Sequence, residues 1–143
     1  IAPVSGILRN TNWTDFFASK ATKEIDGLFD FPKNVDIIKT IIKSCEYNGD
    51  IILDFFAGSG STGQAVLELN EEDKANRKFI LVQLPEKINE NSESGKRALE
   101  AGLKKISDIT IERNKRVVER IVDERKKAQP DLFTNGHKED AIK

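Results

Sequence analysis

The spacing of apolar residues changes several times along the chain, and each change predicts a different element. Val35, Ile38, Ile41, Ile42 and Cys45 recur at helical spacing and predict an amphipathic helix with one buried face. Phe31 precedes Pro32, so residues 31–33 should be an extended entry to that helix. Asn34 is a good N-cap. Cys45 lies on the apolar stripe and reads as buried and inert. The period then switches. Ile51, Ile52 and Leu53 form a short apolar run, rich in β-branched residues, of the kind found in strands inside a parallel sheet. A glycine turn follows, and then a helix through Gln64, Ala65, Val66 and Leu69 that Ser61 or Thr62 can cap. After a charged connection, residues 78–84 form a second apolar strand, ended by Pro85.

Residues 92–127 read as helix in two pieces. Leu99, Leu103, Ile106, Ile109 and Ile111 mark the first, and Val117, Val118, Ile121 and Val122 the second. A short helix is expected around residues 21–28. Residues 1–14 show little periodicity. Trp13, Phe16 and Phe17 read as an aromatic anchor on the domain surface, or as a wall beside a bound base. Residues 128–143 read as a frayed tail. His137 stands there without a second metal ligand at sensible spacing, so no metal site is assigned. The divisions are thus an N-terminal segment 1–28, a cofactor-binding part 29–127 and a tail 128–143.

The fold class that follows is α/β, a partial Rossmann-like sandwich built on a right-handed parallel strand–helix–strand unit with a long C-terminal helix. A ligand should lie at the C-terminal ends of the strands. Two strands are few for a complete domain of this type. Unpaired edges should be covered by another segment, by a partner or by self-association.

The turn Asp54-Phe55-Phe56-Ala57-Gly58-Ser59-Gly60-Ser61-Thr62-Gly63 carries the candidate chemistry. Glycines let a ligand approach bare backbone, and the helix start offers N–H groups and a positive dipole end. A triphosphate loop needs Lys then Ser/Thr after the last glycine, and Gln64-Ala65 stand there, which excludes it. A dinucleotide fits the Gly58-x-Gly60-x-x-Gly63 spacing, but wants an acid at the end of the second strand where Gln83 stands. S-adenosylmethionine fits better, because the Asp54 carboxylate suits a cationic amino group and suits a pyrophosphate badly.

At these residues the chain resembles the amino-methyltransferases that act on DNA bases. The longer run from Ile51 to Glu86, with Arg77-Lys78-Phe79-Ile80-Leu81-Val82-Gln83-Leu84-Pro85-Glu86, resembles the modification subunit of type III restriction-modification systems. Upstream, Phe29-Asp30-Phe31-Pro32-Lys33-Asn34-Val35 is similar to the other cofactor motif of that circularly permuted family. The resemblance covers roughly residues 10–120. It implies that Phe31, Pro32, Lys33, Asp54, Phe56, Ala57, Gly58, Ser59, Gly60, Ser61 and Thr62 contact S-adenosylmethionine, with Gln83 or Glu86 on the ribose. It also implies methyl transfer to adenine N6 in duplex DNA. The family's Asp/Asn-Pro-Pro-aromatic motif has no counterpart, since Pro3, Pro32, Pro85 and Pro130 are all isolated. In the permuted order that motif would precede Ile1, so this chain is expected to be the C-terminal, cofactor-binding part of the enzyme and inactive alone. The implied partners are duplex DNA through the parent protein, the restriction (helicase–nuclease) subunit and a second copy of the chain. A non-catalytic assembly module and a dinucleotide-dependent oxidoreductase subunit are the alternatives.

Composition changes this picture little. Charged residues make up 33% of the sequence and hydrophobic residues 38%, which suits one polar-surfaced domain. The formal net charge of −1 supplies no overall attraction to nucleic acid. One cysteine suits a reducing, cytoplasmic setting, and no apolar run has the length of a membrane span. Arg113, Arg116 and Arg120 belong to a basic stretch interleaved with acids, read as a solvated face with salt bridges. They are expected to point away from the cofactor motifs.

Overall fold

A computed structural model describes residues 23–25, 27–45 and 49–128. Trp13, Phe16, Phe17 and His137 lie outside them. The element order is a 3-10 turn at Lys23–Ile25, α1 at Val35–Cys45, β1 at Ile51–Asp54, α2 at Ser61–Asp73, β2 at Lys78–Leu81, α3 at Glu93–Glu100 and α4 at Ile106–Ala128. The two strands pair in parallel, Ile51 opposite Lys78 and Asp54 opposite Leu81, with α2 as the crossover. β2 is shorter than the apolar run that announced it. Hydrogen bonding nevertheless continues past it, from Val82 N to Asp54 O (2.8 Å) and from Ala57 N to Val82 O (3.1 Å).

α2 is the hub. Its Ala65, Val66 and Leu69 are wholly buried, against Val35, Ile38 and Ile42 of α1 and against Ile52 and Phe79 of the sheet. Each large aliphatic side chain so buried contributes about 1.5–3 kcal/mol. α1 starts as expected, with Asn34 Oδ1 accepting from Asp36 N (2.8 Å) and Ile37 N (3.4 Å). Its apolar stripe is wider than its contact: Ile41 and Cys45 are exposed, contrary to the sequence reading, because α2 covers only the row through Val35, Ile38 and Ile42.

A second cluster, Ile25, Leu28, Ile88, Ala98 and Ile109, joins the 3-10 turn to α3 and α4. Of the helix expected near residues 21–28, the described residues show that turn, closed by Leu28 N to Ile25 O (2.9 Å). α3 is capped by Ser92 Oγ, which accepts from Gly95 N (3.0 Å). It ends at Gly102, whose φ of +83° allows Gly102 N to reach Leu99 O and Leu103 N to reach Ala98 O, both at 2.9 Å. The break therefore falls before Ile106, and Ile106, Ile109 and Ile111 belong to the second helix. Asp108 Oδ2 closes its start, accepting from Lys104 N and Lys105 N (2.9 Å each). Ile111, Val118 and Val122, counted above as apolar markers, are exposed.

α4 lies across α2 and the glycine turn. Gly60 has φ +81°, and a Cβ there would sit 2.5 Å from Asn114 Nδ2 and 3.0 Å from Thr110 O. A Cβ at Gly63 would overlap the Asn114 amide and lie 3.0 Å from Leu81 Cδ1. Both positions need glycine because of protein packing. Gly63→Ala should therefore cost about 1–3 kcal/mol by overpacking, read as a lower urea midpoint with unchanged slope; an unchanged midpoint would mean that α4 does not seat here.

Charges lace the helices together. Lys39 Nζ reaches Glu68 and Glu72 of α2, both at 2.6 Å, while Arg120 Nη2 of α4 reaches Glu68 from the other side (2.6 Å). Arg125 pairs with Glu71, and Arg77 grips Asp73 with two bonds of 2.8 and 2.7 Å. Burial pushes the Glu68 carboxyl up, but hydrogen bonds from Lys39 and Gln64 and the charges of Lys39 and Arg120 outweigh it and hold it below its ordinary value. The bonds from Arg125 and Lys74 bring Glu71 down to about 2, and the Arg77 bond does the same for Asp73. Carboxyls depressed in the folded state stabilise it fully above their ordinary values near 4.5 and 3.8, and that contribution is lost as pH falls through the folded values. Thermal melts followed by circular dichroism should be flat from about pH 7 to about pH 5 and then fall steadily toward about pH 2. Added salt should reduce the effect, since Glu71 and Asp73 are screened by solvent.

Candidate functional site

Asp54, the turn that follows it and Gln83 meet at the C-terminal ends of the two strands. Asp54 closes β1. Its Oδ1 accepts from Phe56 N (3.0 Å) and its Oδ2 from Thr62 Oγ1 (2.6 Å), so one carboxylate spans the turn from strand end to helix start. Thr62 is thereby committed to Asp54, and neither it nor Ser61 caps α2. The N-cap is Gly60, in the left-handed conformation and without a side-chain bond. Gly60 N also donates to Ala57 O (2.7 Å), which closes the turn on itself.

Gln83 stands beyond the end of β2. Its Oε1 accepts from Gly58 N (2.7 Å) and its Nε2 donates to Leu84 O (3.2 Å). The residue expected at a ribose is thus also a brace for the turn. Glu86 is exposed, and its carbonyl accepts from Ile106 N (2.9 Å), which ties this loop to the start of α4.

The upstream motif reaches the same place. A Cβ at Gly58 would lie 4.0 Å from Phe29 Cζ, which brings Phe29 to the turn. Asp30 Oδ1 accepts from Ser94 Oγ (2.5 Å), which anchors this segment to α3. Phe31 is 82% exposed and Phe56 79% exposed, two large apolar rings left in solvent beside a polar turn. Phe55 packs on Phe56, with ring centroids 5.0 Å apart. Lys33 is exposed, Pro32 is half-buried, and Ala57 and Ser59 are buried under the turn.

Sequence reasoning missed the support beneath. Thr110 Oγ1 donates to Gly58 O (2.5 Å), and Asn114 Nδ2 to Thr110 O (2.8 Å) and Gly60 O (3.4 Å). Arg113 is fully buried and donates from Nε to Gln64 Oε1 (2.7 Å) and from Nη1 to Ser59 Oγ and Ser61 Oγ (2.8 Å each). Arg113 therefore points into the cofactor motif and not away from it. Arg116 and Arg120 do point elsewhere, Arg116 to Glu112 and Glu24 O, Arg120 to Glu24, Glu68 and Glu124. The signal was in the sequence: Arg113 occupies the slot between Ile109 and Val117 at intervals of four, where the stripe calls for an apolar residue. Desolvation lowers its pKa to about 10 against the opposing charges of Glu24 and Glu68, so it remains a cation at neutral pH.

An open groove of about 430 Å³ separates β2 from α4, and of the expected contact residues only Gln83 lines it. Among the described residues no group of three or more His, Cys, Asp or Glu could hold a metal ion, and no helix is long and apolar enough to cross a membrane.

Known proteins resemble this chain in sequence. The StyLTI Mod subunit, a type III restriction-modification enzyme subunit of Salmonella typhimurium, is 41% identical over 118 residues, 78% of this chain and 18% of that protein. The type II methyltransferase M.KpnI of Klebsiella pneumoniae is 40% identical over 110 residues, 72% of this chain and 25% of its own. The EcoPI Mod subunit of Escherichia phage P1, also type III, is 38% identical over 104 residues, 69% of this chain and 16% of its own. The chain thus spans a quarter or less of the length of these relatives. A family profile described as DNA methylase matches residues 5–123, and on that match, most of its length, the chain belongs to the N6/N4 DNA methylase family.

Proposed function

We propose that this chain is the S-adenosylmethionine-binding part of a site-specific DNA adenine-N6 methyltransferase, the modification subunit of a type III restriction-modification system. The observation that supports it most is the contact between the upstream motif and the glycine turn: Phe29 Cζ lies 4.0 Å from the place of a Cβ on Gly58. The residues fit the cofactor. Asp54 is half-buried, with its carboxylate fixed by two bonds in an orientation suited to a cationic amino group. Beside Gly58 the nearest atoms to the place of a Cβ are Phe56 O at 3.9 Å and Phe29 Cζ at 4.0 Å, so a small group fits there without a clash. Phe31 and Phe56 offer apolar surface to a nucleoside.

In this reading Asp54, Phe56 and the backbone of residues 57–61 hold the cofactor with Phe31, Pro32 and Lys33. Both polar ends of the Gln83 amide are engaged within the loop, so the ribose hydroxyls fall mainly to Glu86. The bound cofactor supplies an electrophilic methyl group on a sulfonium. The work of this chain is to bind and orient that group, since positioning is a large part of such catalysis. Recognition of the DNA site, flipping of the adenine and the Pro-Pro motif that would grip its amine belong to other parts of a longer polypeptide. The restriction subunit and a second copy are the protein partners this reading calls for, in the cytoplasm.

Three measurements bear on it. In calorimetry on the natural-length polypeptide, Asp54→Ala should weaken S-adenosylmethionine binding by about tenfold or more, the loss of one charge-assisted hydrogen bond. Equal affinities would remove Asp54 from the site. The 143-residue chain alone should give only background in a tritium-labelled methyl-transfer assay with adenine-containing duplex. Turnover that a mutation in the purified chain abolishes would place the catalytic centre here instead. Finally, replacing Arg116 and Arg120 by Gln should change DNA affinity by less than about tenfold, because both are tied up in internal ion pairs; a larger, salt-dependent loss with the fold intact would show them on phosphate.

A further inference from the structure

We infer that Arg113 is a positioning residue for the cofactor turn, acting through the hydroxyls of Ser59 and Ser61; the inference rests on the reading of that turn as the cofactor site. Ser59 and Ser61 flank Gly60, and Nη1 of Arg113 donates to both at 2.8 Å while Nε holds Gln64 at 2.7 Å. One planar guanidinium thus fixes the residue before the left-handed glycine, the residue after it and the first turn of α2. Thr110 and Asn114, on the same face of α4, hold the carbonyls of Gly58 and Gly60. Residues 58–61 are each gripped from α4, while Gln83 holds Gly58 N from the strand side.

A purely structural role would not require this residue type. Ile109 and Val117, one helical turn before and after on the same stripe, are apolar and buried. Replacing buried ionic groups by well-packed apolar ones is often neutral or stabilising. What an apolar side chain cannot supply is directional bonding to two hydroxyls and an amide at once. Lysine cannot replace it either, since a point charge on a flexible stem lacks the rigid fork. Directional bonds from one rigid group fix one conformation among several close alternatives, although Asn114 Oδ1 beside them is buried without a partner among the described residues; a glycine turn left free would have many.

The experiment uses the natural-length polypeptide with S-adenosylhomocysteine as the probe, alongside amide hydrogen exchange. Arg113→Lys, Arg113→Met and the double variant Ser59→Ala/Ser61→Ala are compared with wild type, using the folded fraction by circular dichroism. Each should bind the probe at least about tenfold more weakly. Exchange at residues 58–61 should rise by a similar factor, with α1 unchanged. Adding Arg113→Lys to the serine pair should cost less than the sum of the two separate effects, since both remove the serine contacts and only the Gln64 bond is lost in addition. If Arg113→Met unfolds the protein, the serine pair, which removes only two hydroxyls, decides. Wild-type affinity in the folded variants, or unchanged exchange at residues 58–61, would overturn the inference. If wild type itself binds no probe, the cofactor reading fails, and the positioning role is overturned with it even where exchange shows that the clamp exists.

Discussion

Two missing side chains hold this fold together. Gly60 and Gly63 leave room for Asn114 and Thr110 of α4 to lie directly on the turn, and a single methyl at either place would collide with them. The contact sets the distance between α4 and α2, and so decides where the polar groups of α4 meet the turn. Glycine in such a loop is easily read as space for a ligand. Here the space at two of the three positions is filled by the protein, and only Gly58 keeps an open side.

The charges follow from the same placement. Once α4 is seated on the turn, Arg113 is buried between Ser59, Ser61 and Gln64, and Arg120 is brought to Glu68 and Glu24. α2 then carries acids that are bridged from two sides, by Lys39 of α1 and by the arginines of α4. Few of these pairs are deeply buried, so their individual contributions are small. Together they orient three helices around a core that is apolar on one side of α2 and ionic on the other. Of the basic stretch of α4, Arg113 is buried and Arg116 and Arg120 are paired within the domain, while Lys115, Arg125 and Lys126 stand exposed.

The sheet is covered on one face. Ile52 and Phe79 pack under α1 and α2, while Ile51, Leu53, Ile80 and Val82 stand exposed among the described residues. Strands apolar on both faces are the pattern of a parallel sheet sandwiched between layers. That pattern is consistent with a chain spanning a quarter or less of its relatives' length.

Local physics made much of this legible. The apolar run at Ile51, Ile52 and Leu53, the glycine turn and the Asn34 cap are local signals, and the strand, turn and helix they announce are where the sequence put them. The ordered pair of motifs, Phe31-Pro32-Lys33 and Asp54 to Gly63, was enough to identify the family, because residue order is carried by the sequence itself. Burial was less legible. Ile41 and Cys45 share a helical stripe with Ile42, but a stripe says which residues could be covered, and only a neighbour of finite width decides which are. Arg113 marks the same limit from the other side. Its place between Ile109 and Val117 on the stripe says that it is covered, but not by what, because its partners lie 49 to 54 residues away. The sequence by itself determined the elements and the family, since both rest on short-range order. The tertiary structure alone decided which glycines serve packing and which cation lies beneath the turn, because both depend on where α4 comes to rest.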